Sequence, residues 1–405
     1  MTTKALQTNL IVSVIILFIV YSMDPLLKEK IMKYSMDLTK LMHKSSEFLF
    51  YWFWLYHKLL YFAIPVFYHL SIFFMKDKSS AILFLSFGAI EIMTTNLLKL
   101  AYHDTRPCFE DEEISLIHCS CTFGKPSGHS SSSFVFYSMV YYLLFWDREN
   151  ASKKGKVFGF IGLFIIVLNV GLSRIYFGAH FINQVLMGWS LGYVILSVFL
   201  LLKSNRVMQR IVESPLDSKD RDGTLINYFI IALGTLEFLV MLLWIAVRNM
   251  FEDNPYHPYM KSSNCYETCF KNKKYFSDPS LFSSSFYLGV LYFLLAMKAY
   301  NAPLYIKNSN YYNVTLYPFK NLIKRILVVL IVCIPLGCAF IFKAFNTLFG
   351  WFLMNSALLV YMVFFFILYK RLLIAFRVFE KGDFFNVNLI KGIKLDDTDD
   401  SEANL

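Results

Sequence analysis

The sequence predicts an all-α, polytopic membrane protein of about nine to ten transmembrane helices. Hydrophobic residues make up 57% of its 405 residues and aromatics 18%, against roughly 45–50% apolar residues in soluble domains. Several apolar runs exceed the ~18 residues that cross a bilayer. The 39 Lys and Arg residues, which leave a net charge of +10, lie between those runs rather than along one stripe. Positive-inside bias accounts for them, and no nucleic acid is expected as a partner.

In chain order, spans are expected near 6–23, 48–75, 80–101, 130–146, 157–175, 180–202, 225–247, 281–299, 324–345 and 348–377. Only Lys4 precedes the first span, and Tyr21-Ser22-Met23-Asp24-Pro25 follows it without a small-residue cleavage site. It therefore reads as a retained anchor and not a signal peptide. Residues 1–79 form this anchor with membrane helices, 80–202 a central unit, and 203–378 additional transmembrane helices. Residues 379–405 form an acidic tail around Asp396, Asp397, Asp399, Asp400 and Glu402, read as a solvated terminus on the cytoplasmic side. No internal repeat stands out.

Three short patches carry the chemistry. They are Lys99 to Arg106-Pro107, then Pro126-Ser127-Gly128-His129, then Ser173-Arg174 followed by His180. Together they supply three fixed cations and two histidines, with no acidic cluster to suggest a metal. Cations hold anionic oxygens, one imidazole attacks and the other protonates a leaving group, which is what metal-free phosphoryl transfer requires. No cofactor is expected. Pro107 disfavours helix at Arg106, so the segment should unwind there and turn the guanidinium inward. Arg106 and Arg174 suit bidentate phosphate contacts, with Lys99 a more compact charge. Ser127 and Gly128 open a helix whose free N–H groups favour anions, and Gly128 lets a phosphate approach the backbone. His129 is the candidate acid and then base; His180 is the candidate nucleophile. Gln184 lies one turn further on, where its amide oxygen can accept the His180 ring N–H and fix the tautomer.

Each patch sits at a helix end: Lys99 closes the third span, His129 opens the fourth, Arg174 closes the fifth and His180 opens the sixth. All four ends then share one face. The opposite loops hold more cations and read as cytoplasmic, so the site faces a lumen or the exterior. Lys28, Lys30, Lys33, Lys40 and Lys44 run against this bias, on the site's side. The sequons at Asn150 and Asn313 fall on the cytoplasmic side and should stay unmodified. Cys108, Cys119 and Cys121 share the site's loop, and Cys265 and Cys269 a later one; one disulfide in each fits an oxidising lumen. Among the remaining polar residues, a structural Lys58–Glu91 pair or a kinked second segment at His57-Lys58 accounts for the intramembrane charge as well as a functional role does. His103 and Asp104 lie close to Arg106, where contact with substrate stays open, and loop placement is the safer reading.

These patches resemble the signature of the type 2 phosphatidic acid phosphatase superfamily: Lys-x6-Arg-Pro, Pro-Ser-Gly-His, and Ser-Arg-x5-His-x3-Asp. The match covers residues 99 to 184. It implies a phosphatase core over 80–202 that carries the three motifs, and loosely a six-helix core around them, with Lys99, Arg106, Ser127, Gly128 and Arg174 on phosphate, His180 the nucleophile and His129 the acid/base. The chain departs from the pattern at Gln184, where most of the superfamily has Asp. The stretch Ser173-Arg174-Ile-Tyr-Phe-Gly-Ala-His180-Phe-Ile-Asn-Gln184 resembles the glucose-6-phosphatase branch, whose members place Gln there and carry nine spans with a lumenal site in the endoplasmic reticulum. The resemblance implies an integral-membrane phosphatase that hydrolyses a phosphomonoester through a phosphohistidine, in an endomembrane, among membrane lipids. A sugar phosphate and a lipid phosphate, such as a long-chain-base phosphate or phosphatidate, both remain open as substrate, as does transfer to an alcohol acceptor. Outside this class stand a transporter, suggested by the span count and Glu91, and an inactive scaffold, suggested by Gln184. The sequence does not speak to oligomeric state.

Overall fold

The computed structural model describes residues 3–43, 47–60, 78–111, 113–114, 122–146 and 151–204, residues 323–328, and scattered positions between 232 and 376. These residues contain helices and no strand. In chain order they form α1 (Thr3–His43), α2 (Glu47–Trp54) with a π-helical turn over Leu55–Leu60, α3 (Lys78–Tyr102) and the short α4 (Pro107–Glu110). Then come α5 (Gly128–Tyr141) with a second π-helical turn over Tyr142–Trp146, α6 (Lys153–Tyr176) and α7 (Ile182–Ser204). Four stretches among the described residues are long and apolar enough to span a membrane: Lys4–Met42, Phe84–Glu110, Lys153–Tyr176 and Ile182–Ser204. The acidic tail and both sequon asparagines lie outside the described residues, as do the spans expected after residue 205 apart from 323–328 and those scattered positions.

The N-terminal helix is the main departure from expectation. A span over 6–23 followed by a basic loop is expected, yet α1 continues unbroken for 41 residues with Pro25 inside it. At ~1.5 Å per residue it is ~60 Å long, about twice the hydrocarbon thickness, so its second half rises beside the site. Its buried residues are Leu6, Ser13, Asp24, Ser35 and Thr39, spaced by whole turns of helix on one stripe, while Ile11, Phe18 and Ile19 face outward. The buried stripe is largely polar because it meets polar partners. Asn9 donates to Ser197 Oγ (2.9 Å) and accepts from Tyr193 (2.5 Å). Farther along, Asp24 accepts from Asn183 (2.6 Å), Ser35 Oγ accepts from the Ile182 amide (3.1 Å), and Thr39 donates to the Ile175 carbonyl (3.0 Å). These contacts run α1 antiparallel to α7.

Two of the lysines that blur the charge bias, Lys28 and Lys40, have local acids. Lys28 pairs with Asp104, Lys40 with Asp111 (2.5 Å) and Glu113 (3.2 Å), and Lys125, from the loop before α5, with Asp24. Lys58 is exposed whereas Glu91 is fully buried and accepts from Ser132 (2.7 Å) and Thr95 (3.0 Å). The Lys58–Glu91 pair is therefore not formed; Glu91 instead ties α3 to the serine-rich start of α5.

Small residues set the approach of α7 to α5. A methyl group on Gly188 would stand 2.5 Å from the Ser127 carbonyl, and one on Gly192 would stand 3.1 Å from the Ser131 carbonyl. Two glycines four apart thus let the backbones close, the small-x3-small device of membrane helices. α2 packs on the C-terminal, site-side end of α6 through Phe53, Tyr176 and Phe177, and Trp52 donates to Asn169 (2.8 Å).

Candidate active site

The site forms where α3 and α6 end and α5 and α7 begin. Lys99 lies in the last turn of α3, which stops at Tyr102; His103 then takes a left-handed conformation (φ 48°) and its ring packs on Phe123 at 4.6 Å. As expected from Pro107, Arg106 is extended (φ −122°, ψ 155°) and caps α4. Ser127 caps α5, its side chain accepting from the Ser130 amide, and Ser130 Oγ lies 2.9 Å from Ser127 Oγ. α6 ends in a turn at Gly178, whose φ of 60° and lack of Cβ suit a helix terminus; a methyl there would stand 2.2 Å from Ile114. Its carbonyl accepts from the Cys108 amide at 3.1 Å, which joins the first and third patches. His180 lies in this turn, two residues before α7 begins, and its amide donates to the Arg174 carbonyl (3.2 Å).

Arg106 is nearly fully buried, and its five N–H groups are all directed at acceptors. Nε donates to the Thr122 carbonyl (2.5 Å), and Nη2 to Thr122 Oγ1 (2.6 Å) and the Phe123 carbonyl (3.0 Å). Nη1 donates to the Ala179 carbonyl (2.7 Å) and reaches His180 Nε2 (3.0 Å). A free fork for phosphate is expected from sequence; the guanidinium is instead chiefly a clamp that binds the loop before α5 to the turn before α7. Its remaining donor lies on the imidazole nitrogen at which a phosphoryl group would arrive.

On the other side of that ring, Nδ1 faces two oxygen acceptors, the Gly124 carbonyl (2.7 Å) and Gln184 Oε1 (3.1 Å). Two acceptors require Nδ1 to carry the proton, which leaves the lone pair on Nε2. Burial, with Arg106, Arg174 and Lys99 nearby, pushes the His180 pKa well below the usual histidine range, so the ring is neutral at neutral pH.

Arg174 is buried and its Nη1 lies 2.5 Å from His57 Nδ1, which therefore accepts. His57, from the π-helical turn after α2, also stacks on His129 with centroids 5.3 Å apart and planes 27° apart. Burial, with Arg174, His57, His180 and Lys99 nearby, pushes the His129 pKa well below the usual histidine range, so this ring too is neutral until an anion is bound beside it. Lys99 Nζ comes 3.4 Å from where a methyl on Gly128 would stand, so the glycine borders the lysine's path. All eight residues selected from sequence (Lys99, Arg106, Ser127, Gly128, His129, Arg174, His180 and Gln184) thus converge. The sequence marks His57 as a polar residue inside an apolar segment and Asp104 as a neighbour of Arg106, but gives both a structural reading; the fold brings His57 to Arg174 and His129, and Asp104 to Gln184. Cys108 is disulfide-bonded, with its partner outside the described residues.

Residues 80–208, which contain all three patches, match the family model of the PAP2 superfamily. Phosphatidylglycerophosphatase B of Bacillus subtilis is 36% identical over 131 residues, 32% of this chain and 60% of the relative. The glucose-6-phosphatase catalytic subunit 1 of Bos taurus is 29% identical over 137 residues, 32% of this chain and 35% of the relative. Its Mus musculus counterpart is 36% identical over 92 residues, 20% of this chain and 25% of the relative. The chain thus matches between a quarter and three-fifths of the length of these relatives. No solved structure matches.

Proposed function

We propose that this chain, whose residues 80–208 carry the PAP2 superfamily match, is an integral-membrane phosphatase that hydrolyses a phosphomonoester through a phosphohistidine. The observation that carries the reading is the His180 ring, neutral, with Nδ1–H held between two acceptors and Nε2 turned toward Arg106. Nε2 attacks phosphorus in line and the P–O bond to the leaving group breaks as N–P forms. Lys99 and Arg174 balance the charge on the equatorial oxygens, Arg106 contributes only the N–H that faces His180 Nε2, and His129, protonated once the phosphate dianion is bound, gives its proton to the leaving oxygen. Water then attacks the phosphohistidine, His129 takes its proton, and inorganic phosphate and neutral His180 are regenerated. His57 holds Arg174 and stacks on His129, so it orients both. None of these steps calls on a metal.

Two substrate classes are favoured by different observations. Gln184 in the glucose-6-phosphatase position, and the similarity to that subunit, favour a sugar phosphate. The similarity to a phosphatidylglycerophosphatase over a larger share of the relative favours a lipid phosphate. The disulfide at Cys108, on the loop that carries Arg106, supports a site in an oxidising compartment such as the lumen of the endoplasmic reticulum.

The test is phosphate release by the purified full-length protein in detergent with EDTA, from glucose 6-phosphate, a long-chain-base phosphate, phosphatidate and phosphatidylglycerophosphate. Release from one class that vanishes in His180→Ala, together with an acid-labile phosphoenzyme, is the expected result. Release that survives His180→Ala would overturn the mechanism.

A further inference from the structure

Gln184 raises a chemical problem. A neutral amide orients His180 but does not by itself stabilise the imidazolium that develops as Nε2 bonds to phosphorus. We propose that Asp104 supplies the missing carboxylate, acting on His180 as a positioning residue through the Gln184 amide, with Lys28 of α1 completing the unit. This rests on the reading of His180 as nucleophile.

The hydrogen bonds determine which way the amide points. Gln184 Oε1 accepts from His180 Nδ1 (3.1 Å) and from the Phe181 amide (3.2 Å), both donors. Gln184 Nε2 donates to the Thr105 carbonyl (2.7 Å) and to Asp104 Oδ2 (3.1 Å), both acceptors. Reversing the amide would set donor against donor and acceptor against acceptor. In this orientation the carboxylate draws on the N–H end and raises the electron density at Oε1, the end that holds His180. Polarisation along a hydrogen-bonded chain is strongest where water is absent, and Gln184 is 0% and Asp104 4% exposed.

The backbone makes the same link a second time. The Gly124 amide donates to the Asp104 carbonyl (2.8 Å), and the Gly124 carbonyl accepts the same His180 Nδ1–H. A methyl group on Gly124 would stand 2.4–2.6 Å from the Thr105 carbonyl and from both polar atoms of the Gln184 amide. Only glycine lets the two routes run side by side. A buried carboxylate also needs a countercharge. Lys28 provides it at Asp104 Oδ1, leaving Oδ2 for Gln184.

The relay predicts an exchange of carboxylate and amide. Asp104→Asn, Gln184→Asp and the double variant are purified and assayed on whichever substrate the wild type hydrolyses. Asp104→Asn keeps the shape and removes the charge. It is expected to lower kcat by about tenfold to a hundredfold, by analogy with the partners that orient metal-bound histidines, with KM within about twofold. Gln184→Asp alone sets a second carboxylate against Asp104 and also loses activity. Joined to Asp104→Asn, it puts the carboxylate directly on His180, and kcat recovers above both single variants. Since Asp104→Asn strips Lys28 of its partner, the same set is made with Lys28→Gln, which removes the ion pair as a unit and separates folding from chemistry. An active wild type with kcat unchanged in Asp104→Asn, or a double variant whose losses simply add, would overturn the relay and leave the phosphatase reading standing. A wild type with no His180-dependent phosphate release would overturn that reading and this inference together.

Discussion

The guanidinium of Arg106 shows how much one side chain can carry. Four of its five N–H groups hold the Thr122–Phe123 strand of loop and the Ala179 carbonyl, and the fifth meets His180. Arg106→Lys keeps the charge and loses the planar array, so both the clamp and the donor at Nε2 go. We expect kcat to fall by about 10²–10³-fold, the cost of removing one well-placed donor from a charge-stabilising site, with a lower unfolding temperature besides. Activity within a few-fold of wild type would contradict the clamp. His57→Ala removes the acceptor for Arg174 and the stacking partner of His129. Its expected cost is about tenfold to a hundredfold in kcat, as for displaced catalytic groups, and steady-state kinetics reads it directly. The eight site residues were legible in the sequence because phosphoryl transfer needs those residue types at helix ends. The partners of His57, Asp104 and Lys28 were not, since each bonds to a residue of a distant segment and only the folded backbone brings the two within hydrogen-bond reach. Gln184 was legible as a departure from the superfamily pattern, but its link to Asp104 spans 80 residues of chain and leaves no local trace.

At the scale of elements, the close approach of α5 and α7 decides where the second patch sits relative to the third. The Ser127 amide donates to the Gln184 carbonyl (2.9 Å), and Gly188 presses on the Ser127 carbonyl one turn later. Gly188→Ala drives a methyl into backbone, which cannot yield as a side chain would. A loss of about 1–3 kcal/mol is expected from overpacking, read as a lower unfolding temperature in detergent together with reduced kcat. Gly162→Ala in α6 is the control, because nothing lies within 4 Å of the added methyl; it should be neutral or gain up to ~1 kcal/mol from helix propensity. Equal effects of the two would show that the α5–α7 contact is not critical. The helical pattern of both elements was readable from hydropathy. What hydropathy missed was the extent of α1, since the polar residues after Met23 read as loop. Asp24, Lys28, Ser35 and Thr39 are polar because their partners are the buried loops of the site, and the helix persists because those partners satisfy them.

The whole molecule poses the question of which side of the membrane the site occupies. The cation-rich loops expected on the opposite face argue for an extracytoplasmic site, and Lys28, Lys30, Lys33, Lys40 and Lys44 argue against it. Lys28 and Lys40 are matched by Asp104, Asp111 and Glu113 on the same side. These acids do not remove the lysines from the count, because topology responds to Lys and Arg near span ends and little to Asp and Glu. Cys108, disulfide-bonded beside Arg106, favours an extracytoplasmic site. Glycosylation separates the alternatives. Glu113 is exposed, with 76% of its side chain accessible, and Glu113→Asn places an asparagine two residues before Ser115, completing a sequon on the site's side. Lys40 keeps Asp111 as a partner in that variant. Expressed in microsomal membranes, Glu113→Asn is expected to gain an endoglycosidase-sensitive mass increment absent from wild type, while Asn150 and Asn313 stay unmodified. Sugar on Asn150 with none on the Glu113→Asn variant would invert the topology and put phosphate release in the cytoplasm.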